Sequence, residues 1–143
     1  MGLFTAIDAA ASGMTAERLR MDVISNNIAN ANTTRTPEGG PYRRQMVIFQ
    51  PRAGQNSFAD LLSGKVENVG VRVVGIVKDE APFRQVFDPN HPDANAAGYV
   101  AMPNVNIIAE MVDMMTAARA YEANVTAINA AKSMALKALE IGR

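Results

Sequence analysis

One histidine and no cysteine occur among the 143 residues, and that shortage decides most of the chemistry. Disulfide scaffolds, thiolate zinc sites, cysteine nucleophiles and multi-histidine metal sites are all excluded. His91 lies among Asp88, Asn90, Asp93 and Asn95, the donor types a cation would use. The spacing fails a calcium loop: Pro92 stands where a third ligand belongs, and Asp93 where the turn glycine is needed. A solvated turn is expected there. Gly64-Lys65 has neither the upstream glycine nor the following Ser or Thr of a phosphate loop. Asn32-Thr33-Thr34 and Asn124-Val125-Thr126 match the glycosylation tripeptide, a match that short sequences often make by chance. Arg43-Arg44 reads as a solvated strand edge, and Glu17, Glu110 and Asp113 as single acids facing solvent on helices. No nucleophile, acid–base pair or cofactor loop assembles, so no catalytic, metal or cofactor residue is assigned and no enzyme activity is expected.

Fourteen Lys and Arg balance fourteen Asp and Glu, which argues against nucleic-acid binding by bulk charge. Apolar residues make up 48%, enough for a folded chain. The start, MGLFTAIDAA, lacks a basic segment and is broken by Asp8, so a cleavable signal peptide is not expected. Thr5 falls one place early for myristoylation, and no run reaches the ~18 apolar residues of a membrane helix.

Proline divides the chain. All seven prolines lie between Pro37 and Pro103, with seven of the ten glycines. Proline removes a backbone donor and clashes inside helices, so long helices belong to the two ends. In the first segment Leu3, Ile7, Ala10, Met14, Met21, Ile24 and Ile28 recur at spacings of four and three, interrupted only by Glu17. That spacing lines one face of a helix. Ser25-Asn26-Asn27 weakens it, and Asn30 and Asn32 are expected to end it by competing for backbone bonds or turning left-handed. In the last segment Ile107, Met111, Met114, Ala118, Tyr121, Val125, Ile128, Ala135 and Leu139 mark a second stripe, broken by Lys132. Asn104 or Asn106 is placed to cap it, Lys132 and Lys137 suit its C-terminal end, and Gly142 stops it.

Between them, Tyr42–Gln50, Val66–Lys78 and Phe83–Phe87 read as strands, with bends at Gly70 and Gly75. Residues 56–64 have room for one or two helical turns, and 88–98 is a turn-rich loop. The fold expected is mainly α: two long N- and C-terminal helices form an antiparallel coiled-coil-like pair with a small β-rich insertion between them. Residues 1–32 and 104–143 make one domain, and 33–103 the insertion. One seam cannot cover so many large apolar groups, so partner helices from other chains are expected. Gly13, within Ala9-Ala10-Ala11-Ser12-Gly13, reads either as a weak spot or as a place of close helix packing.

Ser25-Asn26-Asn27-Ile28-Ala29-Asn30-Ala31-Asn32-Thr33, with Ala11-Ser12-Gly13-Met14 and Arg18 upstream, resembles the N-terminal signature of the bacterial flagellar rod and hook proteins. Thr36-Pro37-Glu38-Gly39-Gly40-Pro41-Tyr42-Arg43-Arg44, Ala81-Pro82-Phe83-Arg84 and Asp88–Ala94 narrow the resemblance to the proximal rod branch. So do Gly98-Tyr99-Val100 and Pro103-Asn104-Val105-Asn106, while Glu110-Met111-Val112 and Arg119–Asn124 resemble the family's C-terminal helix motif. The resemblance implies a structural subunit of the drive shaft that crosses the periplasm. It implies exit through the flagellar type III export apparatus without a cleaved signal, terminal helices packed as an inner coiled-coil wall, and the insertion outside. The partners implied are further copies of itself, the rod proteins FlgB, FlgF and FlgG, and the adaptor FliE. The expected assembly seam is Ile7, Met14, Met21, Ile24, Ile28, Ile107, Met111, Met114, Ala118, Tyr121, Val125, Ile128 and Leu139. A helical-bundle adaptor or chaperone that lays the same stripes on a client is the alternative.

Overall fold

The computed structural model describes residues 2–53 and 68–141. Two helices bracket four strands: α1 Leu3–Ala29, β1 Gln45–Ala53, β2 Asn68–Lys78, β3 Arg84–Phe87, β4 Tyr99–Met102 and α2 Ile107–Ile141. The expected two-helix plan with a small β insertion is present, with helices of 27 and 35 residues. The expected turns over 56–64 and the stop at Gly142 lie outside the described residues.

α1 ends by asparagine chemistry, though not by a left-handed turn: among the described residues no non-glycine has a positive φ. Asn30 instead donates from Nδ2 to the carbonyl and the side-chain oxygen of Asn26, and its own Oδ1 accepts from the Thr33 hydroxyl at 3.2 Å. Side-chain bonds of this kind compete with the helix ladder. The chain then reverses at Thr36–Gly40, where Thr36 N–H donates to the Gly40 carbonyl at 2.9 Å. Gly39 and Gly40, at φ 89° and 76°, supply the left-handed backbone that this turn requires.

β1 pairs with β2, and β3 with β4, as two two-stranded sheets. The second is antiparallel, with Arg84 opposite Met102 and Phe87 opposite Tyr99. β4 is a strand that sequence periodicity did not disclose; four residues hold only two alternations, of which Val100 is the buried one. The 88–98 loop is closed by Asp88 N–H donating to the Gly98 carbonyl, and His91 Nδ1 accepts from the Asp93 amide. His91 is thus part of a turn, as expected. Asn106 is the cap of α2: its Oδ1 accepts from the amides of Ile108 and Ala109 at 3.1 and 3.3 Å.

The chain forms two compact units. In the first (Met1–Leu19, Ile48–Gly75, Thr116–Arg143), Ala10, Ala16, Ala117 and Ala131 are the buried apolar residues among those described. In the second (Arg20–Val47, Ile76–Met115), Val23, Ile24, Ala31 and Val100 are buried together with two polar side chains, Asn27 and Glu110.

The buried face of α2 differs from the stripe expected. It runs through Glu110, Met114, Ala117, Tyr121, Asn124, Ile128, Ala131 and Ala135, again at spacings of four and three. Met114, Tyr121, Ile128 and Ala135 belong to both series. Ala118 and Val125 are half-buried at the flank, while Ile107, Met111 and Leu139 are 43%, 54% and 72% exposed. The deepest burial on this face goes to Glu110, Ala117 and Ala131, at 0%, 0% and 4% exposure. On α1, Ile24 is buried, and Ile7, Met14, Met21 and Ile28 are half-buried beside Gly13, Ala16, Val23 and Asn27.

Candidate functional site

The residues of the Asn-rich motif converge on a polar hub in the second unit. Asn27 leaves α1 with its side chain fully enclosed, 1% exposed. It pairs with the backbone of Gln45 as a strand would: its Nδ2 donates to the Gln45 carbonyl at 2.8 Å, and its Oδ1 accepts from the Gln45 amide at 2.9 Å. The same Oδ1 accepts from the Tyr42 hydroxyl at 3.0 Å, and Nδ2 donates to Glu110 Oε2 at 2.9 Å. A side chain with donor and acceptor on adjacent atoms is what this four-way junction requires.

Glu110, in the first turn of α2, is completely buried. Its other oxygen accepts from Arg44 Nε at 2.6 Å, and Arg44 lies also within 3.6 Å of Asp79 and 3.4 Å of Asp113. Burial works against the Arg44 charge. The bond to Glu110, then the carboxylates of Glu110, Asp79 and Asp113, outweigh it and hold the guanidinium above its ordinary range. Burial, with the Glu110 charge second, pushes the Tyr42 phenol up. Asn104 closes the far side: its Oδ1 accepts from the Arg44 amide at 2.8 Å, and its Nδ2 donates to the carbonyls of Asp79 and Ala81. Arg43 donates to the same two carbonyls and lies over the Phe83 ring, 4.3 Å from its centre.

Two expectations are therefore corrected. Glu110 does not face solvent, and Arg43-Arg44 is not a solvated edge; enclosed carboxylate and guanidinium neutralise each other. The available signal was Glu110 itself, the one charge within Ile107-Ile108-Ala109-Glu110-Met111-Val112. Of the motif residues, Asn27 enters the hub and Asn26, Asn30 and Thr33 shape the helix exit. Ile28 packs at half exposure, while Ser25 and Ala29 are exposed. In the first unit, a Cβ on Gly13 would lie 2.8 Å from Asn124 Nδ2, so the close packing is with this chain's own second helix. Ser12 accepts from the Val71 amide at 3.0 Å beside Gly70, whose lack of a Cβ leaves room for the Ser12 hydroxyl.

The hub binds and orients; it presents no free nucleophile or base, and no metal-holding group of acids and histidines occurs among the described residues. Comparison with known proteins shows the family of the chain. Residues 7–35 match the family model for flagella basal body rod proteins, and 96–141 that for the C-terminal part of flagellar basal body rod FlgEFG proteins. The chain is 53% identical to the flagellar basal-body rod protein FlgC of Borreliella burgdorferi, over 99% of this chain and 98% of that one. It is 47% identical to FlgC of Bacillus subtilis and 40% to FlgC of Escherichia coli O6:H1, in both cases over all of each chain. The chain belongs to the FlgC family of flagellar basal-body rod proteins. The Asn-rich motif falls inside the first matched segment, and Glu110 inside the second. The hub thus joins a residue of each of the two segments that match rod-family models. This is a structural protein of the flagellar basal body, and the adaptor or chaperone reading is not favoured.

Proposed function

We propose that this subunit builds the proximal rod by pairing its terminal helices as an antiparallel coiled coil and packing the outer faces of that pair against neighbouring subunits. The observation that carries this reading is the apolar run Ile107, Ile108, Met111, Val112 and Met115 on α2, at least 43% exposed at each position, while Glu110 among them is buried. An exposed stripe of that size on a subunit of a larger assembly is a contact surface. A contact that joins different faces and does not close generates a helical shaft.

In this reading residues 1–32 and 104–143 act together as the wall-forming domain, and 33–103 as the insertion outside it. Ile7, Met14, Met21, Ile24, Ile28, Met114, Ala118, Tyr121, Val125 and Ile128 line the seam, and Ile107, Met111 and Leu139 are covered by neighbours. Rod components are its partners; copies of itself, FlgB, FlgF, FlgG and FliE are the ones we assign, with delivery to the periplasm by the flagellar export apparatus and no cleaved signal. Helices dense in alanine and methionine, with mixed charge, suit a solid shaft because close-packed interiors transmit strain.

The test is Met111→Asp in cells that depend on this subunit. The expected result is export at the normal level, loss of completed basal bodies and loss of swimming. Normal basal bodies with an aspartate at that position would overturn the outer-face assignment.

A further inference from the structure

We infer that two contacts, Asn27 with Glu110 and Gly13 with Asn124, fix the register in which α1 and α2 pair, while the buried alanines of the two helices set only how closely they lie. The inference rests on the paired-helix reading above. Ala16 on α1 and Ala117 and Ala131 on α2 are deeply buried, all at most 4% exposed. Methyl groups offer no feature that distinguishes one register from another a turn away. Buried polar groups do, because they are satisfied in one arrangement and stranded in others; a buried asparagine sets register in coiled coils for this reason.

Each unit of the chain holds one such feature. In the second, the Asn27 amide is committed on both atoms, to Gln45, Tyr42 and Glu110. A slip of one turn, about 5.4 Å, takes Glu110 away from Nδ2 and leaves an enclosed carboxylate oxygen without that donor. In the first, the Asn124 amide is anchored by Nδ2 donating to the Ala120 carbonyl at 2.9 Å and lies against Gly13. Gly13 is the only glycine of α1. A slip either way brings a residue that carries a Cβ to this place, where a Cβ would stand 2.8 Å from Asn124 Nδ2. Asn27 selects one register by attraction and Gly13 rejects the others by volume. The two features are two heptads apart on each helix, in opposite chain directions, as one antiparallel register requires. Register matters to the rod because a slip carries Ile108, Met111, Val112 and Met115 past the exit of α1, and the outward surface is then a different one.

The experiment uses the absence of cysteine from the chain, which makes any introduced pair the only thiols present. Arg20→Cys is combined in turn with a second cysteine at 113, 114, 117, 118, 120 or 121, in the full-length protein, and disulfide yield is measured after mild oxidation. The parent is expected to give one maximum. With Asn27→Leu, Glu110→Leu and Asn124→Ala together, helix content is retained by circular dichroism and a second maximum appears about three or four positions away, one turn. Glu110→Gln, which keeps an acceptor for Asn27, keeps the single maximum. An unshifted single maximum in the triple variant, a broadened one in Glu110→Gln, or loss of helix content in the triple variant would overturn the inference. Absence of any maximum in the parent would overturn the paired-helix reading itself.

Discussion

Asn27 and Glu110 stand 83 residues apart in the chain and share a hydrogen bond of 2.9 Å in which both side chains are closed to solvent. The bond joins the last full turn of α1 to the first turn of α2. Arg44, on the approach to β1, neutralises the buried acid from its other side.

Arg44→Ala removes that neutralisation while Glu110 stays enclosed. Breaking one partner out of a buried pair costs on the order of 3 kcal/mol, because an uncompensated charge remains. Arg44→Ala combined with Glu110→Leu is expected to cost less than Arg44→Ala alone. Urea midpoints of the three proteins check this; a double variant weaker than Arg44→Ala would show that Glu110 stabilises by some other route.

Gly13→Ala sets two effects against each other. Alanine gains up to about 1 kcal/mol in helix propensity, but its Cβ meets the Asn124 amide, which is held by Ala120. We expect the substitution to destabilise the parent and to stabilise an Asn124→Ala background, with a coupling of about 1 kcal/mol in the double-mutant cycle. Equal effects in both backgrounds would separate Gly13 from Asn124. Gly13→Leu is expected to be worse than alanine in the parent, by about 1–3 kcal/mol of overpacking.

Tyr42 gives the hub an alkaline limit. Its phenol is pushed above its ordinary value, so the folded state favours the neutral, donating form. The sign follows from linkage: that contribution is complete below the unfolded-state value, near pH 10, and is lost as pH rises through the higher folded value. The stability difference between the parent and Tyr42→Phe is therefore constant from pH 7 to 9 and shrinks above about pH 10. Thermal melts of both proteins across that range test it, and a difference that grows with alkalinity would contradict it.

Lys78→Asp probes the insertion. Lys78 pairs with Glu38 at the surface, with both side chains more than half exposed. A pair this exposed is screened by solvent and contributes little, so folding and swimming should be near normal. Non-motile cells with stable protein would make this edge of the insertion a contact.

The helices were legible because their signals are long: proline confinement and the four-three spacing persist over many turns. The strands near 45–53, 68–78 and 84–87 were legible to within a few residues by their β-branched and aromatic content. β4 was not, since four residues carry too little periodicity. The apolar stripe of α2 recurs with the expected period, and its Met114, Tyr121, Ile128 and Ala135 also lie on the less exposed face. A hydrophobicity pattern selects Met111 and Leu139, whereas Ala117 and Ala131 are the residues buried, and nothing local marks an alanine for burial. The hub was the least legible part. Asn27 was singled out by resemblance, but its partners come from 18 and 83 residues away, and a lone arginine or glutamate carries no mark of its future burial. Tertiary pairing alone decides that.

The central claim is that this chain is a structural subunit of the flagellar rod, and a density map of intact basal bodies from cells carrying it tests that most directly. The account predicts that the chain can be traced in the proximal rod, with α1 and α2 side by side in the shaft wall and Met111 against a neighbouring subunit. A complete rod in which this sequence fits no density would contradict it.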